Sequence, residues 1–404
     1  MKILFIVKEF PHSKVIGGPI IIYNRIKYLS EKHDVSLLAF AANPTREEIE
    51  SVSGYCLNMR LIPPPKRGGA ARKTWDYLFG PVPPYFMQLY SKEMYEALRQ
   101  MVRANKYDVA ISEYSMVAQY LYRNPDLEGI KRIMSVHECY YLARKKVIRV
   151  QGLASKEGLT ALLHLKGLKK YEFDMYDDAD RVLTLTPEEK EELLGLRPTL
   201  KISVIPHGVD IEKFRPFKKK SGRPTVMFLG NFLHDPNREA VLFFVQNSWG
   251  IVKERCREAR FLVVGRGPTP DMIELARNDP SIEITGQVED VYPYFCESDV
   301  FVCPVRIGGG FRGKVLEAMA SGVPVVSTEL GAQGIPYRDG ENMLIANTPE
   351  EIASGVFRLL EDKALHDKIA ENARKLVEER FSWQKGVEIL EEVLKDVVGE
   401  DGTN

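Results

Sequence analysis

The sequence has 404 residues with 56 basic and 56 acidic side chains, a formal net charge of zero. A chain of that length exceeds one ordinary core and implies two domains. Its neutral balance gives no whole-chain electrostatic case for binding nucleic acid. The five cysteines form no CxxC pair, which argues against a disulfide framework or a zinc site and fits a reducing cytoplasm. The apolar run from Ile3 to Val7 meets Lys8 and Glu9 at once, too short for a signal-peptide core. No uninterrupted apolar stretch reaches about 18 residues, so no span of a membrane is expected.

Short apolar runs alternate with helical stretches, the pattern of a parallel sheet covered on both faces. In the first half, strands are expected at Lys2–Val7, Asp34–Phe40, Asp108–Ser112, Lys131–Val136, Arg181–Thr184 and Ile202–Ile205. Helices are expected at Ile20–Lys32 and Lys92–Ala104, and the Pro-, Gly- and Arg/Lys-rich stretch Pro63–Pro84 reads as a loop or insertion. Lys218–Pro224 looks like a linker. After it, strands are expected at Thr225–Leu229, Arg260–Val264, Ser281–Ile284, Val300–Cys303 and Val323–Ser327. Helices at Arg238–Glu254, Asp271–Ala276, Gly313–Ala320 and Pro349–Glu361 fall between or after them, and Trp383–Val397 has apolar residues at helical spacing. Two such series in tandem give the fold class: α/β, two Rossmann-like domains facing each other across a cleft, with ligands beyond the carboxyl ends of the strands.

Gly17-Gly18-Pro19 precedes the first helix. Glycines there let amides approach a phosphate at the positive end of a helix, although a plain loop accounts for the pair equally well. The absence of G-x-G-x-x-G within the first thirty residues argues against a dinucleotide dehydrogenase.

The richest segment runs from Pro304 to Ser327: strand end, glycine-rich loop, helix, glycine stop, strand. Gly308, Gly309 and Gly310 expose consecutive amides, suited to a diphosphate. Arg306, Arg312 and Lys314 place cations around the same loop, and a charged hydrogen bond to phosphate contributes about 1.5–3 kcal/mol. Glu317, one turn into the helix, is placed to accept the two hydroxyls of a ribose. The bland alternative is an ordinary glycine-rich crossover.

Gly313–Ser327 resembles the donor-binding core of the family 4 retaining glycosyltransferases, which have the GT-B fold. Other segments agree in kind and order. Val204–Pro216 resembles their interdomain segment, while Phe228-Leu229-Gly230-Asn231 and Leu262–Gly267, with Gly265 and Arg266, resemble the strand ends of their donor domain. Thr285-Gly286-Gln287-Val288 resembles their base-contacting loop, and Ser382-Trp383 the start of their closing helix. The resemblance implies an acceptor-binding domain at residues 1–207 and a nucleotide-sugar donor domain at 208–381. It also implies that residues 382–404 pack back on the first domain. The donor site it implies includes Phe311 within the glycine run.

Two positions depart from the family pattern. Gly309 stands where the family carries a first glutamate, eight positions before Glu317, so the sugar is not specified. The usual Arg and Lys after the first donor-domain strand are also absent, and Arg306 and Lys314 are expected to supply the diphosphate charges, as in a subgroup with Pro-x-Arg before the glycine run. His137, at the carboxyl end of an apolar run and followed by Glu138, resembles the family's His-Asp position. It is expected to contact the transferred sugar and stabilise developing positive charge.

The reaction so implied moves a hexose, with retained configuration, from a nucleotide-diphosphate donor to a glycan or lipid-linked acceptor. No Asp-x-Asp motif is present, and neither a metal nor another cofactor is expected. A nucleotide-sugar 2-epimerase and an inactive nucleotide-sugar binding protein are the alternatives. Residues 131–170 hold ten basic residues against two acidic, and Gly158–Leu168 is amphipathic. This face reads either as solvated helix or as a peripheral contact with anionic lipid at the inner membrane face.

Overall fold

Along Lys2–Val7 (β1), alternate side chains leave the strand on opposite sides. Leu4 and Ile6 join one buried apolar cluster, and Ile3, Phe5 and Val7 join another. A strand apolar on both faces needs cover on both, and the chain supplies it with helices. The computed structural model describes all residues except 14–17, 66–80, 152–155, 218–221, 309 and 400–404. The described chain divides into two compact units: Met1–Pro206 with Val387–Asn404, and His207–Gly386.

The first unit has a seven-stranded parallel sheet. After β1 come β2 (Asp34–Phe40), β3 (Asn58–Ile62), β4 (Val109–Glu113), β5 (Lys131–Ser135), β6 (Arg181–Thr184) and β7 (Ile202–Val204), in spatial order β3-β2-β1-β4-β5-β6-β7. The order reverses between β1 and β4, which pair in register from Ile3↔Val109 to Val7↔Glu113. Its helices include α1 (Gly18–Leu29), α2 (Arg46–Ser53), α3 (Lys92–Ala104), α4 (Tyr140–Gln151), α5 (Lys156–Asp178) and α6 (Pro187–Leu196).

The second unit has six parallel strands: β8 (Thr225–Leu229), β9 (Arg260–Val264), β10 (Ile282–Gly286), β11 (Val300–Cys303), β12 (Val325–Ser327) and β13 (Leu344–Ile345). Their order is β10-β9-β8-β11-β12-β13, and the reversal falls between β8 and β11. Around them pack α7 (Asp235–Phe244), α8 (Pro270–Asn278), α9 (Gly313–Ala320), α10 (Pro349–Glu361) and α11 (Lys363–Arg380). The last helix, α12 (Trp383–Gly399), starts in this unit, and from Val387 onward it belongs to the first.

The differences from the sequence reading have local causes. Strand β4 runs one residue later than expected, which takes Glu113 into the sheet. Strand β12 begins at Val325 because Pro324 has no N–H to give the ladder. The helix expected from Arg238 starts at Asp235, with Pro236 in its first turn, and a π-helical turn at Val245–Trp249 separates it from a last piece at Gly250–Arg255. Of the loop expected at Pro63–Pro84, residues 66–80 lie outside the described residues.

Candidate functional site

Open α/β sheets bind ligands beyond their strands' carboxyl ends, where the strand order reverses. In the second unit that point is flanked by Gly230-Asn231 after β8 and by Pro304–Arg312 after β11. Gly265, after β9, has φ +136°, and a Cβ there would overlap the Gly230 carbonyl oxygen. Only glycine lets these two strand ends approach so closely. Gly265 N also donates to Gly286 O at 3.2 Å, so the ends of β8, β9 and β10 form one continuous backbone edge. Arg266 and Gln287 follow on that edge with exposed side chains, and Val288 packs against the core.

Helix α9 carries Lys314 toward this edge, with Glu317 one turn further along it. Lys314 Nζ donates to Asn237 Oδ1 at 2.6 Å and lies 4.2 Å from the centre of the Phe228 ring. Asn237 Nδ2 in turn donates to Asn231 O at 2.9 Å, so one amide ties the lysine to the end of β8. Both charged side chains keep intermediate exposure, yet surrounding protein desolvates their charged ends. Desolvation lowers the Lys314 ammonium to about 8, and the Glu317 charge opposes it. Desolvation likewise raises the Glu317 carboxyl to about 7, against the charges of Lys213 and Lys314. Two groups shifted toward neutrality in one turn of helix make this turn a candidate functional site.

The other loop residues are engaged within the protein. Gly308 has φ +94°, and a Cβ on it would meet the Pro236 ring at 2.8 Å. Arg312 is buried and donates to Gly310 O, closing the glycine turn. Phe311 stacks on His207 at 5.2 Å and 10°. Arg306 pairs with Glu239, its guanidinium 3.5 Å from the Phe243 ring centre. Of the expected cations, then, Arg306 has its charge offset by a carboxylate, whereas Arg312 and Lys314 donate to neutral amide oxygens. Gly309, expected in the donor site, lies outside the described residues.

In the first unit the reversal point holds a buried network. Arg25, on α1, donates through Nη1 to both oxygens of Glu113, at 2.8 and 3.0 Å, and to Ser135 Oγ at 2.9 Å. His137, just past β5, places Nε2 2.6 Å from Glu113 Oε2. Burial alone would raise the Glu113 carboxyl, but the Arg25 charge and the His137 hydrogen bond outweigh it and hold the group at about 2. His137 is lowered, first by desolvation, with Arg25 and Lys8 adding to that and Glu113 opposing. Tyr114 stacks on His137 at 4.1 Å, and Lys8 Nζ sits 3.8 Å from the Tyr114 ring centre.

Gly18 has its own explanation here. A Cβ on it would overlap the Tyr114 hydroxyl, so the absent side chain makes room for that phenol. Its neighbour Gly17 lies outside the described residues. The sequence reading missed Arg25, Glu113 and Asn237. Glu113 left a signal, as a charge closing the otherwise uncharged run Val109–Ser112 at a strand's carboxyl end; Arg25 and Asn237 left none.

Two family models match, one described as "Glycosyltransferase Family 4" over residues 16–213 and one as "Glycosyl transferases group 1" over 223–362. A Klebsiella pneumoniae protein described as an uncharacterized 44.6 kDa protein in the cps region is 22% identical over 95% of this chain and 97% of its own. The phosphatidyl-myo-inositol mannosyltransferase of Mycobacterium tuberculosis is 27% identical over 208 residues, 48% of this chain and 54% of its own. The chain therefore spans about half the length of that named relative. Among solved structures, the sucrose-phosphate synthase of Thermosynechococcus elongatus is similar with a TM-score of 0.71 at 18% identity, covering 99% of this chain and 100% of its own. Anabaena HepE in complex with UDP and glucose is similar with a TM-score of 0.65 at 14% identity, over 98% of this chain and 99% of its own. At these identities the structural likeness speaks to the fold.

Proposed function

The chain is a glycosyltransferase of family 4, and on that premise we propose that it transfers a sugar, with retained anomeric configuration, from a nucleotide-diphosphate donor bound by the second unit. The observation that carries this reading is the tie of Lys314 through Asn237 to the end of β8 at the β8/β11 reversal point, with Glu317 one turn further along the same helix. A diphosphate there would take the Lys314 ammonium and the amides of the glycine turn, and a ribose would donate its hydroxyls to Glu317. Arg306 would have to leave Glu239 to join the phosphates.

In the step itself, the bond from the anomeric carbon to the β-phosphate oxygen breaks and a bond from the acceptor oxygen forms on the same face. The departing phosphate takes the acceptor's proton, so no side-chain base is needed. Fixed cations and amides that stabilise the departing charge supply the catalysis. The reading requires no metal. We place the acceptor on the first unit and assign it to the glycan or lipid-linked class. An apolar depression there, lined by Tyr141, Leu162 and Leu165 together with Lys169, Lys170 and Arg197, suits an amphiphile, with Lys170 and Arg197 already paired to Asp174 and Asp177.

Incubating the protein with UDP-glucose, GDP-mannose and ADP-glucose, and following the anomeric proton by NMR, tests the reading. Release of nucleoside diphosphate with an α-configured first product from one of these donors is expected. A β-configured first product would refute retention, and conversion to a second nucleotide sugar without diphosphate release would make the chain an epimerase.

A further inference from the structure

The buried network of the first unit contains more than a histidine at a strand end. Glu113 lies wholly inside the protein, and its carboxylate is ionised. An ionised carboxylate only accepts hydrogen bonds. The 2.6 Å contact with His137 Nε2 therefore fixes the proton on that nitrogen. The ring is 5% exposed at its side chain, and its Nδ1 is buried without a hydrogen-bond partner among the described residues. A buried polar atom left unpaired is costly, and such atoms in native proteins call for an explanation.

The geometry around the ring is over-determined. Glu113 is braced by two hydrogen bonds from Arg25, which Ser135 also engages. Tyr114, the residue after Glu113, holds φ +79°, a conformation that costs a non-glycine residue on the order of 1–3 kcal/mol and persists only where surroundings enforce it. That strain lays its ring against the imidazole. The charged groups facing the ring are Glu113 from β4, Arg25 from α1 and Lys8 after β1.

We propose that Glu113, braced by Arg25, is the positioning residue for His137. It holds the imidazole in its neutral Nε2–H form and so offers Nδ1 as a hydrogen-bond acceptor to a hydroxyl of the sugar substrate. The imidazole then acts as a fixed dipole rather than as a cation. This inference rests on the glycosyl-transfer reading for its ligand, but not for the tautomer.

The experiment separates the two. In full-length protein labelled with 15N-histidine, two-bond nitrogen–proton correlations assign the form of His137 near neutral pH. A neutral Nε2–H ring is expected in the wild type, and loss of that pattern in Glu113→Gln. With whichever of UDP-glucose, GDP-mannose or ADP-glucose the wild type turns over, Glu113→Gln should lower kcat roughly three- to tenfold, the scale of one lost hydrogen bond, with KM unchanged. Should Glu113→Gln fail to fold, Glu113→Asp keeps the charge for Arg25 but shortens the reach to His137, and the same kcat loss is expected. An Nδ1–H or doubly protonated ring in the wild type would overturn the proposal. So would undiminished kcat per folded molecule in both variants. If no donor turns over, the transfer reading fails while the tautomer is still decided.

Discussion

Lys314 and Glu317 stand one turn apart on α9, and burial disfavours the charge of each. The folded value of Lys314 lies below its unfolded one. Between about pH 8 and the ordinary lysine range the unfolded chain holds the extra proton, so this group makes stability rise with pH there. Glu317 is the reverse: between the ordinary carboxylate range and about 7 the folded chain holds the extra proton, and stability falls as pH rises through that window. A bound diphosphate should restore the lysine's charge, and ribose hydroxyls should favour the ionised carboxylate. Donor binding is therefore expected to take up protons at about pH 8.5 and release them at about pH 6.5. Calorimetric titration in buffers of different ionisation enthalpy measures both signs. Binding without proton exchange at either pH would mean that neither group meets the donor. Lys314 and Glu317 were legible in the sequence because they share one short segment with the glycines. Glu113 and Arg25 were not, because 88 positions separate them and only the sheet brings them together.

Among the elements, the continuous apolar strands such as Thr225–Leu229 and Arg260–Val264, whose two buried faces leave few alternatives, were read correctly, as were the helices Lys92–Ala104, Gly313–Ala320 and Pro349–Glu361. Strand β3 was missed because it is an edge strand with the burial of a half-exposed surface and carries Asn58 and Arg60. Helix α2 was missed although its capping box, Thr45 with Glu48, is written in the sequence. Helix α12 was legible from its apolar spacing and from the resemblance at Ser382-Trp383, and the structure gives that spacing its meaning. Val387, Leu390, Leu394 and Val397 lie in the same apolar cluster as Ile3, Phe5 and Ile22. Leu390 is fully buried, and replacing it by Ala should cost about 2–5 kcal/mol. At roughly 2–4 °C per kcal/mol for a unit of this size, the melting temperature should fall by at least several degrees. A Leu390→Ala protein melting with the wild type would show that this helix contributes little to the first unit.

For the whole molecule, zero net charge conceals an uneven distribution. The basic excess of residues 131–170 is reduced by acids just beyond it: Asp180 faces Lys131 at 3.7 Å, Asp178 pairs with Arg132 at 2.6 Å, and Asp174 with Lys170 at 2.8 Å. Lys145, Lys146 and Arg149 on α4 remain exposed, whereas the side chains of Lys156 and Lys166 lie outside those described. No helix among the described residues is long and apolar enough to cross a membrane. If the acceptor is lipid-linked, the exposed cations should bind the protein to anionic vesicles at low salt, and high salt or Lys145→Ser with Lys146→Ser and Arg149→Ser should release it. Wild-type protein left in the supernatant at low salt would point to a soluble acceptor. The central claim, that the second unit binds a nucleotide-sugar through Lys314 and Glu317, is tested most directly by calorimetric titration of UDP-, GDP- and ADP-sugars into the wild type, Lys314→Ala and Glu317→Ala. One donor should bind the wild type, with a loss of roughly 10- to 100-fold in each folded variant, the scale of a charged hydrogen bond; equal affinity in all three proteins would contradict the account.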